Sequence, residues 1–341
     1  GLHQVGNKLL IRSGQRLRSG LAARAGTVRR ERALMRCVVL GGAGFLGRHI
    51  GCAMAAAGYC VWSVDVSLAT PVGSTPWLAG QVQADCFDVA AWWDRCGGAD
   101  VVVHLASSTV PATANADPVA DAEVNLLGTL RLLQGLRARK VHPRLLFASS
   151  GGAVYGKPQS VPLAEDHPTL PIGAYGVTKL AIEHHLRIEE ASQGLPCRIL
   201  RLSNPYGEWQ RPHAIQGVIA VFAHRALHGL PLDVWGDGSV VRDFIHAADV
   251  GTAFVAAAEH EGKNRVFNIG DGQGHSVNDI IATLERLLGR AIERRVFAPR
   301  SFDPPVNVLD IRRAQTELHW QPAVAFDDGV ASALQWLRSV P

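Results

Sequence analysis

From residue 35 onward, short apolar runs alternate with stretches whose apolar positions recur every three or four residues. The short runs suit strands buried on both faces, and the longer period suits helices that bury one face. Residues 36–40 form the first such run, with β-branched Val38 and Val39. A glycine-rich turn at 41–47 leads into an alanine-rich helical segment, 45–58, ending on Gly58, a residue type that stops helices. The pattern then predicts strands at 59–66, 101–105, 144–150 and 197–203, and helices at 117–139 and 174–193. The apolar positions of the 117–139 helix are Val124, Leu127, Leu130 and Leu133. This alternation predicts an α/β fold with a doubly wound parallel Rossmann sheet. After residue 204 Pro and Gly become more frequent, which predicts a smaller C-terminal α/β lobe with one strand returning to the sheet near 265–270. The expected organisation is a dinucleotide-binding domain over 35–203, with returns near 242–270, and a substrate-binding lobe over 204–341.

Composition narrows the class. The chain has 341 residues, 47% apolar and 19% charged, which excludes a disordered chain. Its net charge of +4 is uneven, because residues 1–36 carry nine Lys and Arg against one acid and the remainder is near −4. The folded body therefore has no charge excess for nucleic acid. Residues 1–34 are Arg-rich and precede Met35, and they are read as a basic, non-catalytic N-terminal extension. No apolar run approaches the ~20 residues of a membrane helix, so no membrane partner is expected. The six cysteines stand singly, with no C-x-x-C pair and no zinc-spaced Cys/His cluster. They fit reduced packing thiols in a cytoplasmic protein, and no metal site is expected.

Two motifs carry chemistry. In GGAGFLG, Gly41 permits a tight turn, Gly44 lets a pyrophosphate approach the backbone, and Gly47 lets the helix pack on the strand. The free N–H groups and dipole of the helix that follows favour phosphate. Asp65, 18 residues after Gly47, ends the next strand, where a carboxylate accepts both ribose hydroxyls of NAD and repels the 2′-phosphate of NADP. The expected cofactor is NAD. Farther on, YGVTK places Tyr175 and Lys179 one helical turn apart at the start of a helix. A neighbouring ammonium favours the phenolate, so Tyr175 is a candidate base toward a sugar hydroxyl.

Taken together, GGAGFLG at 41–47, HLA at 104–106, NLLGT at 125–129, SSGGAVYG at 149–156, YGVTK at 175–179, RLSNPYG at 201–207, RDFIH at 242–246 and FNIG at 267–270 keep the order seen in extended short-chain dehydrogenases. Over about residues 35–341 the chain resembles the UDP-glucose 4-epimerase branch of the NAD-dependent epimerase/dehydratase family. The resemblance implies that Phe45 and Leu46 join the glycines around NAD, that Asp85 and Cys86 hold the adenine, and that Leu105, Ala106 and Ser107 line the cofactor. Lys179 would also bind the nicotinamide ribose. Asn204, Arg242 and Arg300 would contact the diphosphate of a UDP-sugar, and Asp303 the uridine ribose. Relatives are commonly homodimers built on the helices that carry 125–133 and 175–189, so a homodimer is expected.

One departure stands out. Many relatives carry a catalytic Ser or Thr four residues before the tyrosine of V-Y-G, where this chain has Gly151. No hydroxyl or acid stands at 151–153, which disfavours dehydratase and decarboxylase chemistry and leaves Ser150, Ser107, Ser108 or a water to bridge the sugar hydroxyl to Tyr175. The expected reaction is inversion at C4 of a UDP-hexose through a transient 4-keto sugar. The alternatives are a nucleotide-sugar 4-ketoreductase or dehydrogenase and a non-catalytic NAD-binding regulator. The resemblance also implies a wide sugar site. Asn307 stands where a tyrosine restricts relatives to plain hexoses, which leaves room for an acetamido group, and Arg211 has the spacing of an arginine that binds the carboxylate of UDP-glucuronate.

Overall fold

The computed structural model describes residues 35–68, 75–212, 217–299 and 304–340. The 1–34 extension, Arg300 and Asp303 lie outside the described residues. Seven strands form one sheet: β1 (Arg36–Leu40), β2 (Cys60–Asp65), β3 (Gly80–Gln83), β4 (Val101–His104), β5 (Arg144–Ser150), β6 (Cys197–Leu202) and β7 (Val266–Ile269). The order across it is β7-β6-β5-β4-β1-β2-β3, and every pairing is parallel. Successive side chains point to opposite faces of a strand. Cys37 and Val39 accordingly enter one core, and Val38 and Leu40 the other.

Helices cover both faces. On the first lie α1 (Phe45–Ala56) and a helix from the C-terminal half, Ala247–Glu259, joined through Ile50, Met54, Ala253 and Phe254. They approach closely at Gly251, where a Cβ would come within 2.8 Å of the His49 carbonyl. On the second face lie α2 (Gly128–Ala138) and α3 (Ala174–Gln193), which bury Leu132, Leu136, Ile182 and Leu186. The bounds of α3 match the sequence expectation, and Gly194 ends it with φ 74°.

The expected 117–139 helix is broken. Asp117 caps a new start by accepting from Ala120 N–H, Pro118 takes the first helical position, and a π-helical stretch, Ala122–Leu127, precedes α2. The wider winding moves Val124 and Leu127 off the core. They are 41% and 43% exposed, and both line the cleft described below.

The smaller lobe has its own core of Ile219, Phe222, Ile281, Leu284 and Leu334. The segment Asn204–Tyr206 pairs with Val241–His246, which also pairs with Gly274–Ser276 and Val306–Asn307. A separate parallel pair joins Leu232–Trp235 to Arg294–Phe297. After its first strands the lobe sends the chain back to the sheet as helix Ala247–Glu259 and strand β7. The order reverses between β1 and β4, and ligands of open α/β sheets sit at such a switch, beyond the carboxyl ends of the strands.

Candidate active site

A single cleft of about 1610 Å³ runs from that switch point into the smaller lobe. One drug-sized ligand takes ~300–1,000 Å³, so the volume suits a dinucleotide together with a second nucleotide. At one end Gly41, Gly44, Phe45, Leu46 and Gly47 line it with Asp65, Asp85, Cys86, Leu105, Ala106 and Ser107. Gly41 has φ 85°, and a Cβ at Gly47 would lie 2.4 Å from the Gly41 carbonyl oxygen, so turn and helix can meet only as glycines. Gly44 caps α1 without a side-chain bond, and α1 has no acid in its first turn. The N–H groups there are left for an anion. Asp65 closes β2 and is held by Ala43 N–H at 3.1 Å. Asp85 accepts from Phe87 N–H, and Cys86 is buried with its thiol pushed up to about 12 by burial, which makes it an inert lining group. A glycine cradle at a bare helix start beside a ribose-height carboxylate fits NAD.

In the middle of the cleft stand Ser150, Tyr175 and Lys179. Lys179 is buried, donates from Nζ to the Ala148 carbonyl at 3.0 Å, and lies 4.8 Å from the Phe147 ring and 5.6 Å from the Tyr175 ring. Burial pulls it down to about 8. The expectation that Lys179 lowers Tyr175 is not met in the protein alone. Burial, and then the Asp121 carboxylate, push Tyr175 up to about 12, so its phenol is protonated at neutral pH.

Gly151 is buried against the Leu309 side chain, and a Cβ there would lie 2.6 Å from it. The neighbouring Ser149 hydroxyl donates to Glu183 at 2.5 Å. Ser150, at the end of β5, lines the cleft together with Ser149 and Tyr175. Ser107 and Ser108 also line the cleft, with Ser107 Oγ donating to the Thr109 carbonyl at 3.3 Å.

Behind this group lies a buried network. Arg201 and Glu183, 3% and 1% exposed, pair at 2.7 Å, and Arg201 also donates to Tyr155 Oη, which donates to Asn268. Arg201, Tyr155 and Asn268 belong to the RLSNPYG, SSGGAVYG and FNIG motifs and Glu183 to α3, and together they fix the strand ends that face the cleft.

The lobe end is lined by Asn204, Gln210, Arg242, Asp233, Trp235 and Phe222 among others. Asn204 donates to the Asp243 carbonyl, and Arg242 to the Val241 and Pro304 carbonyls, so both are braced at the rim. Arg211 and Asn307, expected at the sugar, do not line the cleft. Asn307 is 3% exposed, built into a strand beside Arg242. Arg211 is exposed, its charge is felt by Arg48, and the loop before it is held against α1. Glu208 accepts from His49 through its carbonyl at 3.0 Å, and Trp209, at φ 67°, packs 4.6 Å from the His49 ring. The sequence reading missed Gln210, Trp235 and Asp121. For Asp121 a signal was present: Asp121, Asn125 and Thr129, four apart, form a polar stripe on a face that turns out to be buried.

Comparison with known proteins places this site. The family model described as "NAD dependent epimerase/dehydratase family" matches residues 37–270. The chain belongs to this family. It is 33% identical over 315 residues to the UDP-glucose 4-epimerase of Mycolicibacterium smegmatis, covering 89% of this chain and 99% of that protein. It is 34% identical over 243 residues to a dTDP-4-dehydro-6-deoxyglucose reductase of Escherichia coli, covering 70% of this chain and 74% of that protein. Among solved structures, the UDP-glucose 4-epimerase of Thermotoga maritima with UDP-glucose is similar with a TM-score of 0.82 and 33% identity, covering 89% of this chain and 99% of that one. As a member of the NAD-dependent epimerase/dehydratase family, the chain uses NAD. Among the described residues no group of three or more His, Cys, Asp or Glu could hold a metal, and no helix is long and apolar enough to cross a membrane.

Proposed function

We propose that the chain inverts C4 of a UDP-hexose, with NAD held as a resident cofactor. The observation that carries the reading is the convergence of Ser150, Tyr175 and Lys179 on one cleft that continues past Asn204 and Arg242 into the smaller lobe. The UDP-glucose 4-epimerases that the chain resembles support it over nearly their whole length.

Oxidised NAD, when bound, supplies a hydride acceptor for the sugar's C4 and a positive charge that favours the Tyr175 phenolate. Tyr175 takes the proton from the 4-hydroxyl and returns it after the 4-keto sugar has turned over. Ser150 hydrogen-bonds the same oxygen and keeps it in line with Tyr175. Lys179 holds the nicotinamide ribose and keeps positive charge beneath the phenol. Arg242 and Asn204 grip the diphosphate, and Arg300 and Asp303 complete the nucleotide site in this reading. A hydroxyl in this position contributes to proton transfer, so Ser150→Ala is expected to lower kcat by at least ~10-fold, with Ser107→Ala closer to wild type. Asp65→Ala is expected to erode the preference for NAD over NADP, read as the ratio of the two dissociation constants; a wild type that already prefers NADP defeats the ribose assignment.

The reading includes a homodimer and a cytoplasmic location. Exposed Val119, Val177 and Ile188 on the helices over the second face support the dimer, and the six unpaired cysteines support a reducing compartment. Light scattering tests the first.

A second reading, 4-ketosugar reduction, is favoured by the likeness to the dTDP-4-dehydro-6-deoxyglucose reductase. Incubation with UDP-glucose, UDP-N-acetylglucosamine and UDP-glucuronate, with no cofactor added, separates the two. An epimerase turns over many times without consuming NADH, whereas a reductase needs NADH in stoichiometric amounts and a keto substrate. Because Arg211 lies outside the cleft, Arg211→Ala is expected to leave the ranking of the three sugars unchanged.

A further inference from the structure

The geometry points to Asp121 as a positioning residue that fixes the helix bearing Tyr175 and Lys179 and supplies a buried negative charge against which that pair is set. This rests on the reading of Tyr175 and Lys179 as the proton-transfer pair. Asp121 is completely buried, directly before the π-helical stretch Ala122–Leu127. Three side chains from three segments donate to it: Thr109 in the loop after β4, Asn125 at 2.8 Å, and Thr178 on α3 at 2.5 Å. Thr178 adjoins Lys179 and follows Tyr175 by three residues, so the bond sets the rotation of the first turns of α3. The chain of contacts continues inward, because Thr129 Oγ donates to the Asn125 carbonyl at 2.7 Å and lies 2.8 Å from His104 Nε2.

Two buried carboxylates flank Lys179, Asp121 and Glu183. The charge of Glu183 is matched by Arg201 at 2.7 Å, whereas the three donors to Asp121 are neutral. Glu123 and Arg131 are further charged groups on the cleft wall. His104 on β4 is kept neutral at physiological pH, pushed down to about 3 by burial and then by Lys179. Asp121 raises both Tyr175 and Lys179. It therefore favours the ammonium of Lys179 and adds to burial in keeping the Tyr175 phenol protonated.

The test titrates Tyr175 directly. The chain has four tyrosines, so the ultraviolet difference between each protein and its Tyr175→Phe counterpart isolates this phenol. In NAD-loaded full-length protein, Asp121→Asn is expected to lower the Tyr175 midpoint by about 1 pH unit, the scale of a nearby charge, while Asp121→Glu keeps it close to wild type. Thr178→Val leaves the charge and cuts the bond to α3; it is expected to lower kcat several-fold with the midpoint unmoved. An unshifted midpoint in folded, NAD-loaded Asp121→Asn overturns the charge role. A Thr178→Val enzyme with wild-type kcat overturns the positioning role, and this arm stands even if Asp121→Asn does not fold. The titration uses no sugar, so a wild type without epimerase activity defeats the proposed reaction and leaves the Asp121 result readable.

Discussion

Tyr175→Phe is expected to lower kcat by at least ~100-fold and to leave NAD bound, the usual scale for losing a positioned proton-transfer group. The substitution removes one hydroxyl. The ring that lies 5.6 Å from Lys179 Nζ stays, so the packing of α3 against Phe147 and Ala148 is kept. In the protein alone the phenol is protonated, pushed up to about 12 by burial and Asp121. The activity of the wild type should therefore rise with pH over the range in which the cofactor-loaded enzyme loses the Tyr175 proton, and that rise should vanish in Tyr175→Phe. Cofactor content by absorbance and kcat by a coupled assay measure both halves. Near-normal turnover, or loss of NAD on substitution, means that another group moves the proton or that Tyr175 is part of the cofactor seat.

Glu183→Ala produces the largest loss of stability expected from a single change near the site. Glu183 and Arg201 are 1% and 3% exposed and hydrogen-bond through both carboxylate oxygens, with Ser149 as a further donor. Removing the carboxylate strands a buried guanidinium, which costs about 3–5 kcal/mol. At 2–4 °C per kcal/mol for domains somewhat smaller than this, the melting midpoint should drop by roughly 10 °C. Replacing both partners with Met removes the stranded charge and should cost less than either single change. Thermal unfolding of the two single variants and the double variant decides it. A double variant less stable than Glu183→Ala would mean that the pair is net stabilising beyond the penalty of leaving one member alone.

The parts of the fold that could be read from the sequence were those set by local rules. Strands such as 101–105 are continuous apolar runs, GGAGFLG permits little except a tight strand-to-helix turn, and Tyr175 and Lys179 share a helix face by spacing alone. The parts that escaped depend on distant contacts. The 117–139 segment has helical periodicity throughout, yet Pro118, the Asp117 cap and the π-helical winding divide it, which turns Val124 and Leu127 toward the cleft. Arg211 has the spacing of a substrate arginine, but His49, on a helix 159 residues away from Glu208, holds the loop before it, and Arg211 does not line the cleft. The absence of a side chain at Gly151 depends on a distant contact, because Leu309, far along the chain, occupies the space a side chain would take there.

The most direct test of C4 inversion through hydride removal and return uses UDP-hexose deuterated at C4, incubated with the purified protein and no added cofactor, and followed by proton NMR. The account expects a mixture of the two C4 epimers in which deuterium remains at C4 and no solvent hydrogen enters the ring. Washout of the label to solvent, exchange at a neighbouring carbon, or a sugar that never inverts would contradict it.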